Sequence, residues 1–448
     1  MAQAFFGGVH PHDMKAATNE KAIEQLAPPA VVVIPMSMHF GAPCTPLGQK
    51  IGEFHGLGAP IHASVSGTVK AVEPRPYSMG GNITSVVIEN DMQDEVSEEV
   101  QAPADPNALS VEEMVEIVKN AGIVGMGGAT FPTHVKITSG IGKVNTVIIN
   151  GAECEPYITG DHRTMLERPE EIIGGAKFLA KMFGVDKVVI GVEDNKRNGI
   201  DAMNKVIAEQ KAPVVVEPLR CRYPQGGEKQ LCQAITGRQV PPGGLPADIG
   251  CAVFNINTTC AIYRALTTGM PVVRKIVTVS GSGVVEPKNL ECPIGTPVSS
   301  LLDACGGLKD GTYKLIAGGP MMGMAQYTAD ISVAKGTGAI LAFCENEEKT
   351  VENPQCIRCG KCVSVCPMHL EPLFMYQYAS KGMVEELNDA HIMDCMECGA
   401  CSYICPARMH LTHMFKTGKQ LVKDKAAADR AAAEAKKKAE EAKEAAAK

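Results

Sequence analysis

The spacing of apolar and polar residues changes along the chain, and its first part predicts short strands. Runs of Val and Ile alternate there with Gly and Pro, which favours strands at Val31–Ile34 and Ile83–Ile88 and two strands around a Ser66–Gly67 turn within Ile61–Val72. An acidic stretch with prolines, Glu89–Pro106, then predicts a linker. The chain is therefore expected to begin with a small β domain.

The central part, up to about residue 270, alternates apolar β-branched runs with helical patterns. Strands are expected at Val144–Asn150, Lys187–Val192 and Val214–Leu219, and helices at Val111–Ala121, Arg168–Phe183 and Gly199–Gln210. Ser110 and Glu113 form the signature of a capping box at the start of the first helix. This alternation predicts an α/β unit with a largely parallel sheet.

The last part of the chain returns to short strands and then becomes helical. Residues 271–345 predict strands with glycine turns, and Glu371–Lys381 and Met383–His391 predict helices between cysteine-rich loops. From Lys419 onward the sequence contains neither Gly nor Pro and has no apolar stripe, which predicts a charged, solvated helical tail.

Composition excludes several classes of protein. The chain of 448 residues is 45% hydrophobic, which suits about three domains with ordinary cores. Aromatic residues make up 4%, Trp is absent and the net charge is −7, so a nucleic-acid surface is not expected. The first twelve residues lack the features of a signal peptide, and no charge-free apolar window predicts a transmembrane helix.

Eight of the 17 cysteines form two copies of the pattern C-x2-C-x2-C-x3-C-P. This is the ligand run of bacterial two-cluster ferredoxins, in which the fourth cysteine of each run binds the other cluster. We therefore predict two [4Fe–4S] clusters, one held by a first cysteine set and one by a second cysteine set. The first cysteine set is Cys356, Cys359, Cys362 and Cys405, and the second is Cys395, Cys398, Cys401 and Cys366. Zinc ribbons would leave the third and fourth cysteines of each run unexplained. The nine other cysteines are scattered, as expected for core residues in a reducing cytoplasm.

A second constellation begins with the glycine-rich segment Gly122–Lys136. Clustered glycines let backbone N–H groups approach a phosphate or a flat ring, although a plain loop explains them equally well. The strand that ends at Asn150–Pro156 also indicates a ligand site, because ligands of open α/β sheets lie at the carboxyl ends of strands. A turn or cap role for Asn150 is an open alternative.

Together these segments resemble a known flavin site. Gly125–Lys136, Asn150–Pro156, Gly226–Glu228 and Asn255–Thr258 are similar to the FMN and NADH motifs of the complex I flavoprotein subunit. The domain order resembles that of the C subunits of the Rnf (also called Rsx) electron transport complexes. The N-terminal motifs that resemble these subunits are Phe6–Pro11, Pro35–Pro46 and His62–Val69.

The resemblance implies an α/β plus β multidomain fold. The expected domains are a lipoyl-like barrel-sandwich (1–100), a Rossmann-like FMN/NADH domain (101–270), a β-grasp domain of the soluble-ligand-binding type (271–345), an α-helical ferredoxin-type domain with two [4Fe–4S] clusters (346–415) and a charged helical tail (416–448). Between Pro46 and Gly48 the first domain is shorter than this family predicts, by roughly one hairpin.

The resemblance also implies a function. Electrons would pass between NAD(H) and the two clusters through non-covalent FMN, which handles both hydride and single-electron transfer. The chain would be a peripheral subunit at the cytoplasmic face of the bacterial inner membrane. An iron–sulfur subunit and integral membrane subunits would be its partners, with ferredoxin as an indirect one. The cofactor-binding residues implied are Gly125, Gly127, Gly128, Phe131, Lys136, Asn150, Glu155, Gly226, Glu228 and Asn255. Among these, Phe131 would stack on the nicotinamide nucleotide.

Departures from the complex I motifs keep two other functions open. Met126, Ala152 and Gly227 replace an Arg, an Asp and a Glu, which would suit an iron–sulfur adaptor whose flavin site has decayed. A soluble reductase such as the cobalamin reductases shares the same parts, but in that family the barrel-sandwich follows the clusters. Glu155 and Glu228 are expected to disfavour NADP by charge repulsion, unless both are simply solvated.

The histidines of the N-terminal part do not predict a metal site. His10, His39, His55 and His62 lack the i, i+4 spacing or the Cys/His knuckles of such sites. They are expected to be turn and core residues.

Overall fold

The computed structural model describes residues 5–36, 44–54, 56–345 and 351–446. They form two compact units: the first consists of residues 10–345, and the second of Phe5–Val9 with residues 351–446. His39 and His55 lie outside the described residues. Among the helices described, none is long and apolar enough to pass through a lipid bilayer.

The first unit contains most of the regular structure. Its strands are β1 (Ile23–Gln25), β2 (Val31–Pro35), β3 (Cys44–Thr45), β4 (Lys50–Gly52), β5 (Ile61–His62), β6 (Gly67–Pro76), β7 (Asn82–Asn90), β8 (Thr146–Gly151), β9 (Val188–Glu193), β10 (Val214–Leu219), β11 (Cys251–Asn255), β12 (Arg274–Ser280), β13 (Lys288–Pro293), β14 (Thr312–Ala317), β15 (Met324–Gln326) and β16 (Ala339–Cys344). Its helices are α1 (Val111–Asn120), α2 (Thr133–Gly140), α3 (Gly160–Glu167), α4 (Pro169–Phe183), α5 (Arg197–Gln210), α6 (Glu228–Thr236), α7 (Ile256–Thr268) and α8 (Val298–Ala304).

The N-terminal strands form an antiparallel sheet in the order β2-β7-β6-β3, beside the two-stranded sheet β4-β5. Val32 and Ile34 are buried and alternate with less buried neighbours, as period-two spacing requires. The turn predicted at Ser66–Gly67 is instead the start of β6, where a side chain at Gly67 would collide with the carbonyl oxygen of Glu89. Glycine is needed there because two backbones approach closely.

The central sheet is parallel, in the order β10-β9-β8-β11, and lies where the α/β pattern predicts it. Its strands are apolar and buried because helices such as α4 and α7 pack against them. The predicted capping box is present: Ser110 Oγ accepts from Glu113 N at 3.2 Å, and Glu113 Oε2 accepts from Ser110 N at 2.7 Å. Asn150 and Asn255 are neighbours in register at the carboxyl ends of β8 and β11.

The third sheet has the order β1-β13-β12-β16-β14-β15, and α8 packs on it. Its edge strand β1 comes from the segment predicted to belong to the N-terminal domain, and it pairs in parallel with β13. The sequence Ile23-Glu24-Gln25 has no apolar alternation, so nothing local indicated a strand. Contacts distant in sequence hold it, because Ile23 N donates to Glu167 Oε1 at 3.0 Å and Gln25 bonds to Glu291.

The second unit is helical. Its helices are α9 (Lys361–Ser364), α10 (Pro372–Ser380), α11 (Val384–Asp389), α12 (Ala400–Ile404) and α13 (Leu411–Ala446). The helical tail begins at Leu411, before the predicted boundary at residue 416, because Leu411, Phe415 and Val422 are buried in the core of this unit. Residues 423–438 are exposed, in agreement with a solvated tail.

Candidate functional site

The glycine-rich segment between α1 and α2 is a closed loop whose backbone is anchored on both sides. Gly125 N donates to Phe131 O at 2.9 Å. Met126 N donates to Thr258 Oγ1, and the Lys275 ammonium donates to Met126 O, each at 2.9 Å. Because the Met126 side chain is buried, this replacement for the Arg of the complex I loop has a packing role.

The next two glycines leave the loop backbone accessible. A Cβ at Gly127 would lie 3.4 Å from Asn255 Cβ, so the loop passes directly over the end of β11. Gly128 has a φ of +117°, and a Cβ there would meet no atom within 4 Å. Peptide groups without side chains, next to open space, suit a flat ring or a phosphate.

Asn150 and Asn255 both have local structural roles at the strand ends. Asn150 Nδ2 donates to Gly226 O at 2.8 Å, and its Oδ1 accepts from Ala152 N at 3.2 Å. Asn255 Oδ1 accepts from Asn257 N at 2.9 Å and thereby caps α7. Each amide oxygen retains a second lone pair, so these roles leave capacity for a ligand.

Lys136 and Glu228, both predicted site residues, form one ion pair. Lys136 Nζ lies 2.7 Å from Glu228 Oε1 and also donates to Val253 O at 2.9 Å. The same ammonium lies 5.8 Å from the centre of the Phe254 ring. The charge of Glu228 is therefore balanced within the protein, which weakens the expected repulsion of NADP by this residue.

Glu155 is half-buried and hydrogen-bonded rather than freely solvated. Its carboxylate accepts from Met321 N at 3.1 Å and from the Tyr223 hydroxyl at 3.4 Å. Burial raises the pKa of Glu155 to about 7. The loop between β14 and β15 passes so close that a side chain at Gly319 would collide with the carboxylate. The expectation that both acids could be simply solvated is wrong for Glu155.

This raised pKa predicts a pH-dependent stability. Because the folded-state pKa, about 7, lies above the usual value of 4.5, the stabilisation is complete below pH 4.5 and is lost as the pH rises through 7. Glu155→Gln keeps the shape of the protonated acid. We expect it to raise the free energy of unfolding by about 2 kcal/mol at pH 8, with little change at pH 5. Denaturant titrations followed by circular dichroism measure this, with the exposed Glu209→Gln as control. An equal effect of Glu155→Gln at both pH values would contradict it.

The sequence does not indicate two charged residues beside the loop, the half-buried Asp161 and the buried Lys275. Asp161 Oδ2 accepts from Asn255 Nδ2 at 2.8 Å, and Asp161 Oδ1 accepts from Asn257 Nδ2 at 2.6 Å. Burial raises the pKa of Asp161 to about 6 and lowers that of Lys275 to about 8. Lys275 could have been noticed as a cation within an apolar strand, but Asp161 follows no pattern.

The remaining observations suit a polar, flat ligand. Gln225 Nε2, next to Gly226, is buried and has no hydrogen-bond partner in the part of the chain that the structure describes. Phe131 is 40% exposed at the end of the glycine-rich loop, so its ring is available for stacking. A polar atom without a partner, an accessible backbone and an available ring fit FMN and a nicotinamide nucleotide.

The two cysteine sets line two separate cavities in the second unit. The first cysteine set surrounds about 440 Å³ of open space together with Leu373, Tyr376 and Leu411. The second surrounds about 350 Å³ together with Met375 and Phe415. Cys405 lies with the first run and Cys366 with the second, so the chain has the crossed arrangement that the predicted clusters require.

Backbone amides surround the cysteine sulfurs in the same way in both runs. Amide nitrogens lie 3.4–3.5 Å from four sulfurs, in the pairs Arg358–Cys356, Glu397–Cys395, Leu370–Cys366 and Met409–Cys405. Such N–H groups stabilise thiolates and tune cluster potentials. Burial raises the pKa of Cys398 and of Cys401 to about 12, so cluster binding would release protons. Within the described residues, no three His, Cys, Asp or Glu side chains are grouped to hold a single metal ion.

Four family models match the chain. The RnfC barrel sandwich hybrid domain matches residues 3–93, and the Nuo51 FMN-binding domain matches residues 118–264. The SLBB domain matches residues 276–325, and the 4Fe-4S dicluster domain matches residues 348–406. The predicted kinds of domain and their order are confirmed, while their boundaries stay predictions.

Curated relatives match along most of their length. The chain is 44% identical to the C subunit of the Na⁺-translocating ferredoxin:NAD⁺ oxidoreductase complex of Acetobacterium woodii, over 87% of this chain and 90% of the relative. It is 42% identical to the C subunit of the proton-translocating ferredoxin:NAD⁺ oxidoreductase complex of Clostridium ljungdahlii, over 87% and 88% of the two chains. Among solved structures, an NAD⁺-reducing [NiFe]-hydrogenase in the H2-reduced state overlaps 71% of this chain and 61% of that chain, with a TM-score of 0.49 and 17% identity. That similarity is too low to bear on function.

Proposed function

The chain belongs to the family of C subunits of Rnf-type ion-translocating oxidoreductase complexes, and on this premise we propose that it passes electrons between NAD(H) and two [4Fe–4S] clusters through FMN. It works as a peripheral subunit at the cytoplasmic face of the bacterial inner membrane. Its partners are an iron–sulfur subunit and integral membrane subunits. Ferredoxin is an indirect partner, which exchanges electrons with the complex. The observation that carries the proposal is the presence, in one chain, of the Asn150–Asn255 strand ends and both cysteine cavities.

The residues at the strand ends are suited to hold FMN. The backbones of Gly125, Gly127 and Gly128 offer N–H groups, and Asn150 and Asn255 offer amide groups beside them. Bound FMN supplies the conversion between a two-electron hydride and single electrons. Lys275, held on Met126 O, places a buried positive charge behind the loop, where it favours negative charge on a ligand.

Other residues orient the nucleotide. Phe131 is placed to stack on the nicotinamide. Lys136, paired with Glu228, is instead suited to balance the charge of the flavin phosphate or ring. Hydride transfer needs no acid or base from the protein, so we assign no catalytic residue. With Glu228 paired, discrimination against NADP depends mainly on Glu155, whose pKa of about 7 leaves it partly neutral at neutral pH. We therefore expect only moderate selectivity for NADH.

The two other functions have less support. In a cobalamin reductase the barrel-sandwich follows the clusters, whereas here it precedes the flavin domain, at residues 3–93. For a non-catalytic adaptor, the replaced residues would mark a decayed flavin site. Met126 is instead anchored through its backbone on both sides, and Ala152 donates to Asn150, so the site retains an ordered geometry.

An anaerobic NADH titration of the reconstituted chain tests the proposal. Visible absorbance and electron paramagnetic resonance should show flavin bleaching and reduced-cluster signals together. We expect NADH to reduce the clusters faster than NADPH does, by roughly tenfold or less, because only the partial charge of Glu155 discriminates between the two nucleotides. Clusters that dithionite reduces and NADH does not, with no flavin released on denaturation, would establish the adaptor instead.

A further inference from the structure

The second unit contains an internal repeat. Corresponding cysteines of the two runs are 39 residues apart, from Cys356 and Cys395 to Cys366 and Cys405. The backbone repeats with them, because positive φ angles recur at Arg358 and Glu397 (53° and 57°), Gly360 and Gly399 (75° and 79°), and His369 and Arg408 (56° and 54°). The repeat extends to the helices, since α10 begins at Pro372 and α13 begins at Leu411.

A lysine of α13 lies across the second cysteine run, and the first run has no equivalent cover among the residues that the structure describes. Lys419 on α13 donates to Cys395 O and forms an ion pair with Glu397 at 2.7 Å, so it lies across the second run. The residue 39 positions earlier is Ser380, the last residue of α10, and it offers no such contact. In the second run Cys398 is buried, whereas in the first run Cys356 and Cys359 are exposed.

The loop of the first run is positively charged, whereas the equivalent loop of the second run is negatively charged. Residues 355–361, Gln-Cys-Ile-Arg-Cys-Gly-Lys, contain two cations and no anion, whereas the equivalent residues 394–400 contain Asp394 and Glu397 and no cation. Arg358, Lys361 and Arg408 are exposed, and none forms an ion pair with an acid in the ranges that the structure describes. Ile357, between the two exposed cysteines, is 67% exposed.

We propose that the loop of residues 355–361 is the docking surface for a separate, acidic protein that carries single electrons. Ile357 would provide the apolar centre of the contact, and Arg358, Lys361 and Arg408 a positive rim that attracts carboxylates. Small interfaces steered by charge are typical of electron-transfer encounters. One electron leaves the reduced cluster of the first cysteine set and enters the oxidised iron–sulfur centre of the partner, with no bond broken and no proton moved. The proposal rests on the proposed function, because both clusters must be present.

Charge reversal at the loop tests this in the full chain with FMN and both clusters. We expect Lys361→Glu with Arg408→Glu to lower the second-order rate of electron transfer to an acidic two-cluster ferredoxin, used as the probe, about tenfold at low salt. The effect should shrink as ionic strength rises. Reduction of the clusters by NADH should stay unchanged, since it precedes the docking step. Arg430→Glu, at an exposed position of α13, is the matched control and should change neither rate.

A second measurement does not depend on turnover. A soluble dysprosium chelate should enhance the spin relaxation of the first cluster more than that of the second, because only the first lies beneath an uncovered loop. Equal enhancement, or an unchanged ferredoxin rate in the charge-reversed variant, would overturn the proposal. Slower cluster reduction by NADH in that variant would also overturn it, since the flavin-bearing part of this chain would then use the loop. Failure of NADH to reduce either cluster would instead refute the proposed function.

Discussion

Replacing Cys366 with serine is expected to remove the second cluster and to leave the first cluster intact. Cys366 belongs to the first run in sequence but lines the cavity of the second cysteine set. A serine hydroxyl is a poor substitute for a thiolate ligand, so the [4Fe–4S] centre with three remaining thiolates should be lost or degraded. Iron and sulfide contents should fall to about half, and one of two reduced-cluster signals should disappear from the paramagnetic resonance spectrum.

The reciprocal variant makes this experiment decisive. Cys405→Ser should remove the first cluster and leave the second, because Cys405 lines the other cavity. Cys221→Ser changes an exposed cysteine outside both sets and should leave both signals in place. Loss of only the first cluster in Cys366→Ser would show that each run binds its own cluster, against the crossed arrangement.

Lys136→Met is expected to weaken FMN binding by ten- to a hundredfold. The variant removes a cation from the proposed flavin site and leaves Glu228, formerly paired at 2.7 Å, with an unbalanced negative charge that would repel the phosphate of FMN. Losing a charge-assisted hydrogen bond costs about 1.5–3 kcal/mol, which corresponds to this range. Quenching of FMN fluorescence on titration with the reconstituted chain measures the dissociation constant directly.

Two further variants separate the possible causes. Lys143→Met, at an exposed position just after α2, should leave FMN binding unchanged. The double variant Lys136→Met with Glu228→Gln should recover much of the lost affinity if the unpaired carboxylate is responsible. Unchanged affinity in Lys136→Met alone would remove this ion pair from the flavin site.

Features encoded over short distances in sequence were predicted well. The crossed gathering of the cysteines follows from the spacing within each run, because three thiols on a tight loop face one cavity and the fourth is carried away by a helical turn. The strands at Val188–Glu193 and Val214–Leu219 were located within one residue, since buried parallel strands are continuous apolar runs. The capping box needed only Ser110 and Glu113, which are three residues apart.

Features that depend on contacts between distant segments were not predicted. β1 has no periodicity of its own and exists because β13 offers it an edge. Glu155 is not freely solvated, because a loop more than 160 residues later in the sequence covers part of it and donates to its carboxylate. Asp161 and Lys275 likewise affect each other's pKa although they are far apart in sequence, and no local pattern marks such a pair.

The first residues that the structure describes, Phe5–Val9, belong to the same compact unit as residues 351–446. Gly8 N donates to Val365 O at 2.8 Å, and Phe6 stacks on His369 with ring centres 4.4 Å apart. A side chain at Gly7 would collide with the backbone of Val365 and Cys366, so the N-terminal segment Phe5–Val9 lies directly against a predicted cluster ligand. During synthesis this N-terminal segment can therefore reach its place only after more than 350 further residues have left the ribosome. Iron–sulfur assembly on the second unit can be completed only after Cys405 has also been synthesised, and a bulky tag close to Phe5 would interfere with that late step.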